Sequence, residues 1–169
     1  MNIFDFAMQM ENDGKSFYKK KAQETKHADL KKILLMLAEE EQKHYNFFKQ
    51  LKEGKTEQAE KTVEAGSETL DRVKNIFVDM SNAPGARSFG DDELTTWNEA
   101  MKIEEKAVAF YSEKASEEAD ENQKRLLMTI ANEERNHVHM IDGVLSYLKF
   151  PENFADSAQF KNFQSLEGH

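Results

Sequence analysis

Glu41-Gln42-Lys43-His44 and Glu134-Arg135-Asn136-His137 decide the reading of this chain. Each stretch sets a carboxylate and an imidazole at i and i+3, which on a helix share one face. Each is preceded thirty residues upstream by another glutamate, Glu11 before Glu41 and Glu104 before Glu134. The second set repeats the first at a constant 93 residues, from Glu11 to Glu104, from Glu41 to Glu134 and from His44 to His137. One Glu-x-x-His in a glutamate-rich chain is commonplace. Two copies in register, each with its upstream glutamate, form a pattern.

The repeat reaches beyond those six residues. At the same offset Ala7 matches Ala100, Met8 matches Met101, Phe17-Tyr18 matches Phe110-Tyr111, and Lys21-Ala22 matches Lys114-Ala115. Leu34 matches Leu127 and Ala38 matches Ala131. An unbroken offset requires two hairpins with equal helices and equal turns. The expected fold is all-α, a ferritin-like four-helix bundle made of two pseudo-symmetric helical hairpins with one long crossover.

Hairpin one takes residues 2–53. Phe6, Met10, Phe17 and Ala22 recur at helical intervals in its first helix. Leu30, Ile33, Leu34, Leu37, Ala38, Tyr45, Phe48 and Leu51 mark the second, with Gly54 as its stop. The crossover, 54–90, is expected to hold one short amphipathic helix behind Gly66-Ser67, carrying Leu70, Val73, Phe77 and Met80. Pro84-Gly85 and Gly90 break the chain after it. Hairpin two takes 91–148 and opens on Asp91-Asp92-Glu93, where the helix dipole favours negative charge. Pro151 closes it. A tail over 149–169, with Phe154, Phe160 and Phe163, is expected to pack on the bundle or on a partner. All 169 residues are read as a single domain.

Composition narrows the function classes. Charged residues make up 33% of the chain and proline only two positions, which suits long helices. A net charge of −9 would repel a phosphate backbone, so no nucleic-acid partner is expected. No stretch reaches the roughly 20 apolar residues of a membrane span, so no membrane role is expected either. With no cysteine, disulfides and thiolate-held metals are excluded. The N-terminus lacks a signal-peptide pattern, and a cytoplasmic location is expected.

Hairpin geometry turns the spacing into a site. Glu11 and Glu41 flank a turn near Lys26 at about 15 residues each, roughly 22 Å at the helical rise, so they sit at one height. Glu104 and Glu134 do the same about a turn near Ala119. The six groups Glu11, Glu41, His44, Glu104, Glu134 and His137 can then meet in one layer. Four carboxylates offset two divalent cations and the imidazoles add neutral donors. That ligand set suits two iron ions, with manganese or zinc as alternatives. Tyr18 and Tyr111 follow Glu11 and Glu104 by seven residues, on the same helix face. Their phenols could hydrogen-bond a ligand carboxylate or a pocket water, and plain core packing is the equal alternative.

Other candidates have blander readings. Glu39, Glu40, Glu105 and Glu133 read as solvated surface charges. His139, two residues past His137, points elsewhere. His27 reads as an exposed turn residue, and Trp97 with its counterpart Phe4 as core.

The set Glu11, Glu41-x-x-His44, Glu104, Glu134-x-x-His137, with Phe-Tyr seven residues after each first glutamate, resembles the ferritin-like diiron-carboxylate superfamily, most closely its rubrerythrin-like branch. The resemblance implies that Glu41 and Glu134 bridge two ions, with Glu11 and His44 completing one and Glu104 and His137 the other. Two features depart from it. There is no cysteine-ligated rubredoxin region, so electrons are expected from an external donor, rubredoxin-like or a flavoprotein. Ala107, and Gly14 in the first half, stand where many rubrerythrins carry an extra third-helix glutamate. The implied activity is that of an oxidoreductase acting on hydrogen peroxide or dioxygen in oxidative-stress defence. The alternative is iron storage or handling with ferroxidase activity. A homodimer is expected.

Overall fold

A computed structural model describes residues 2–64, 68–82 and 87–151. These form six helices: α1 (Ile3–Glu24), α2 (Ala28–Lys52), α3 (Thr56–Glu64), α4 (Glu68–Ser81), α5 (Asp91–Glu117) and α6 (Glu121–Lys149). Among the described residues there is no strand.

Local chemistry sets the helix ends. Asn2 caps α1 by accepting from the Asp5 amide at 2.8 Å, and Asp120 caps α6 by accepting from the Gln123 amide at 2.9 Å. Gly54 adopts φ of 78°, a left-handed conformation that stops α2 and that other residues enter at a cost. The turn 25–27 folds α2 back on α1, and a matching turn folds α6 back on α5.

The four long helices bury two apolar clusters. One gathers Tyr18, Ala22, Leu30, Ile33, Leu34, Trp97, Ile141 and Val144 with the α4 residues Val73, Ile76, Phe77 and Met80. The other gathers Ala7, Phe47, Phe48, Tyr111, Leu126, Leu127 and Ile130 with Ala59 and Val63 of α3. Early residues of α1 and late residues of α5 share the second cluster, so these two helices run in opposite directions. The crossover therefore has to travel the length of the bundle, with α3 at one end and α4 at the other.

The crossover holds two helices where the sequence suggests one. Helix α3 buries only Ala59 and Val63, an i, i+4 pair too sparse to register as a hydrophobic face. Helix α4 lies where expected, with Val73, Phe77 and Met80 buried. Arg87 ties the end of the crossover down, donating to Asp29 and to the Tyr147 hydroxyl at 2.6 Å each. Its guanidinium also contacts His27 Nδ1 at 3.3 Å and lies against the Phe89 ring. His27 is accordingly half-buried against Arg87 and Phe89, not an exposed turn residue. Gly66-Ser67, the Leu70 side chain, Pro84-Gly85 and the tail with Phe154, Phe160 and Phe163 lie outside the described residues.

Helix α1 departs from its apolar periodicity. Phe6 is 40% exposed, while the inward stripe is Ala7, Glu11, Gly14, Tyr18 and Ala22. Helix α5 repeats that stripe as Ala100, Glu104, Ala107, Tyr111 and Ala115. Glu11, Gly14 and Glu104 sit part-way along these stripes, between residues that join one apolar cluster and residues that join the other, and the small side chains beside them leave room for carboxylates.

Candidate metal centre

All six residues singled out by the spacing converge in one layer. Glu11, Glu41, His44, Glu104, Glu134 and His137 are buried, none more than 4% exposed. One group is Glu41, Glu104, Glu134 and His137; a second is Glu11, His44 and Glu134; a third, on the outer edge of the His44 ring, is Glu40, His44 and Glu133. Within each, the candidate ligand atoms lie within 4.8 Å of one another.

Glu134 joins the first two groups. Its Oε1 lies 2.7 Å from His44 Nδ1 and its Oε2 3.4 Å from His137 Nδ1. Glu11 Oε1 stands 3.6 Å from His44 Nδ1, and Glu104 Oε2 3.5 Å from His137 Nδ1. Glu41 Oε1 faces the His137 side at 4.0 Å. The two imidazoles lie nearly parallel, with ring centres 5.9 Å apart and 18° between planes.

The tyrosines cross between the halves. Tyr18 donates to Glu104 Oε1 and Tyr111 donates to Glu11 Oε1, both at 2.6 Å. Both rings are fully buried, so core packing and carboxylate binding coincide in the same side chains. Burial and the surrounding carboxylates push both phenols well above their ordinary pKa, keeping the protons on as donors.

Unpartnered atoms show what the layer can hold. Glu11 Oε2, Glu41 Oε1, His44 Nδ1, Glu104 Oε2, both Glu134 oxygens and His137 Nδ1 are buried without a hydrogen bond. Buried polar atoms normally find partners, and leaving them unpaired is costly. Here every one of the six residues contributes at least one such atom, all of oxygen or imidazole nitrogen. Those residues fit two cations of the iron, manganese or zinc type.

Electrostatics agree. Burial, then repulsion from Glu11 and Glu104, pushes the Glu41 carboxyl well above the usual carboxylate range. Burial, then Glu104 and Glu11, pushes Glu134 up to about 8. Burial also works against the Glu104 charge, but the close approach of Glu134 and His137, the charge of His137 and the Tyr18 hydrogen bond hold it down at about 2. Burial disfavours the imidazolium of both histidines, yet the carboxylates outweigh it and raise their pKa. Without cations, protons balance the site's charge.

The rubrerythrin family model matches residues 2–145. The chain belongs to the rubrerythrin family. No curated protein and no solved structure gives a significant match. In a rubrerythrin-family chain, these buried Glu/His clusters are consistent with a dinuclear metal site. No helix among the described residues is long and apolar enough to cross a membrane.

Two glutamates read as surface charges belong to the surroundings of this centre. Glu40 is only 5% exposed. Glu133 Oε2 lies 2.5 Å from His44 Nε2, on the ring edge opposite the carboxylate layer. Glu39 and Glu105 are exposed as expected, and so is His139. The position directly before each Glu-x-x-His was the signal available for Glu40 and Glu133, but it points sideways on the helix. Only the packing of α2 beside α6 shows what lies there.

Proposed function

We propose that this rubrerythrin-family protein is a diiron oxidoreductase that reacts with hydrogen peroxide or dioxygen, as a defence against oxidative stress. What carries the proposal is the set of unpartnered, inward-facing atoms on Glu11, Glu41, His44, Glu104, Glu134 and His137. When bound, the two iron ions would supply the electrons for reducing the oxidant and be re-reduced by an external donor.

The chain's own residues would hold, orient and shield. Glu11 with His44, and Glu104 with His137, would hold one ion each, while Glu134 faces both imidazoles and Glu41 completes the set. Tyr111 and Tyr18 each occupy one oxygen of Glu11 and Glu104, leaving the other oxygen free to face an ion. The apolar clusters above and below the layer keep bulk water out, which strengthens every charge interaction inside. No cysteine lies among the 169 residues, so these residues themselves hold no thiolate-ligated iron centre that could pass electrons in. A rubredoxin-like protein or a flavoprotein suits the role of donor. The proposal includes a cytoplasmic homodimer.

The test is anaerobic purification, metal counting and rapid mixing of the reduced protein with peroxide and with dioxygen separately. Two metals per chain and oxidation that turns over with an added donor are expected. One metal or none per chain, after loading with iron or manganese, would sink the dinuclear reading. A hollow multi-subunit shell that accumulates oxidised iron would instead assign iron storage.

A further inference from the structure

Each half carries a glutamate directly before its bridging candidate or its equivalent, Glu40 in the first and Glu133 in the second. Symmetry would set each beside the imidazole of the opposite half. Only one is there. Glu133 Oε2 lies 2.5 Å from His44 Nε2. Glu40 does not reach His137: it is paired with Lys43 at 3.8 Å and stays on the His44 side, with an oxygen within 4.8 Å of a His44 ring nitrogen and a Glu133 oxygen. Every polar contact of His137 among the described residues runs through Nδ1, toward Glu41, Glu104 and Glu134.

The sequence explains the difference. Lys43 stands one turn after Glu40 and draws its carboxylate sideways. The repeat places Asn136 at the matching position after Glu133. An uncharged amide leaves Glu133 free to reach across to α2, where it also meets Lys43 Nζ at 3.9 Å.

We infer that the chain holds its two cations unequally: the position served by His44, buttressed by Glu133, is the tight one, and the position served by His137 is the exchangeable one. A carboxylate on the far N–H of a ligand imidazole fixes its tautomer, orients the ring and raises its basicity. His44 has that support and His137 lacks it. The inference rests on the dinuclear reading above and adds an order of affinity to it.

The test uses the full chain, stripped of metal and titrated with Co(II) against a chromophoric chelator. Two Co(II) per chain are expected to bind in two steps separated by about tenfold or more. Glu133→Ala should weaken the tighter step by about 10–100-fold and leave the weaker step in place. Glu133→Gln, whose amide oxygen still accepts a hydrogen bond, should retain most of the tighter step. Glu105→Ala, at an exposed position outside these clusters, should leave it unchanged. Proton NMR of the Co(II)-loaded protein gives a second readout that depends on no variant. The shifted imidazole N–H of His44 should persist in water while that of His137 exchanges rapidly, and Glu133→Ala should make both rapid. Two Co(II) bound with one affinity, or imidazole protons that exchange alike in the unsubstituted protein, would overturn the inference and leave the dinuclear reading standing. So would a Glu105→Ala effect as large as that of Glu133→Ala. Fewer than two Co(II) per chain would overturn the dinuclear reading and the inference with it.

Discussion

Tyr18 Oη donates to Glu104 Oε1 at 2.6 Å, joining the first helix of one hairpin to the first helix of the other. Tyr111 and Glu11 repeat the bond in the reverse direction. Among the described residues these crossed bonds are the fully buried polar links between α1 and α5; Thr25, at the end of α1, adds a more exposed one to Glu93 at 2.7 Å.

Removing one such hydroxyl strands a buried carboxylate oxygen. Tyr18→Phe and Tyr111→Phe are each expected to lower the stability of the metal-free protein by about 1.5–3 kcal/mol, the usual worth of a hydrogen bond to a charged group. Urea unfolding after chelation measures it. A loss below a few tenths of a kcal/mol in both would show that the phenols only fill space.

The metal-free centre should weaken as pH rises. Glu134 is raised from 4.5 to about 8 by burial and its carboxylate neighbours, and Glu41 moves in the same direction. A raised group contributes stability that is fully present below its unfolded pKa and is lost as pH climbs through the folded value. The raised histidines add to the same trend. Glu104, held at about 2, acts with the opposite sign but only below its ordinary value of 4.5. The melting temperature of chelated protein should therefore fall between pH 4.5 and about 8. Metal-loaded protein should melt higher and vary less over that range, and loading should release protons into weakly buffered solution. A chelated protein that melts as high as the loaded one would argue against a shared buried site.

Gly14 is a place where space matters more than helix propensity. A Cβ there would stand 3.0 Å from Glu41 Oε2. Alanine favours a helix interior over glycine by about 1 kcal/mol. Gly14→Ala should leave the metal-free fold intact, helped by that propensity, while displacing Glu41 and reducing metals bound per chain. Metal counting beside circular dichroism separates the two effects. Full loading of the variant would show that Glu41 adjusts freely.

Helix α4 depends on a second glycine. A Cβ at Gly143 would come within 2.8 Å of the Phe77 ring. Gly143→Ala should destabilise the protein by about 1–3 kcal/mol through overpacking, seen as a lower thermal midpoint. An unchanged midpoint would mean that α4 shifts without cost.

The long helices and the six converging residues were legible because the chain states them twice. An offset of 93 fixes helix length, turn length and height together. Helix α3 was not legible, since Ala59 and Val63 alone carry its contact with the bundle. The exposed Phe6 misled for the opposite reason: apolar periodicity finds a face, and in α1 the inward face is polar and small. Glu133 and Arg87 were hidden because their roles depend on neighbours distant in sequence, His44 for the one and Asp29 with Tyr147 for the other.

The crossed tyrosines have one more consequence. Within a single chain they reproduce the rule of an isologous interface, in which residue i meets j and j meets i. A molecule approaching the internal two-fold axis would find the same groups from either side, with no front or back. Any preferred direction of approach must come from outside the repeated residues. The Glu40, Lys43 and Glu133 neighbourhood and the Gly14/Ala107 pair, where the copies have diverged, are where this chain supplies one.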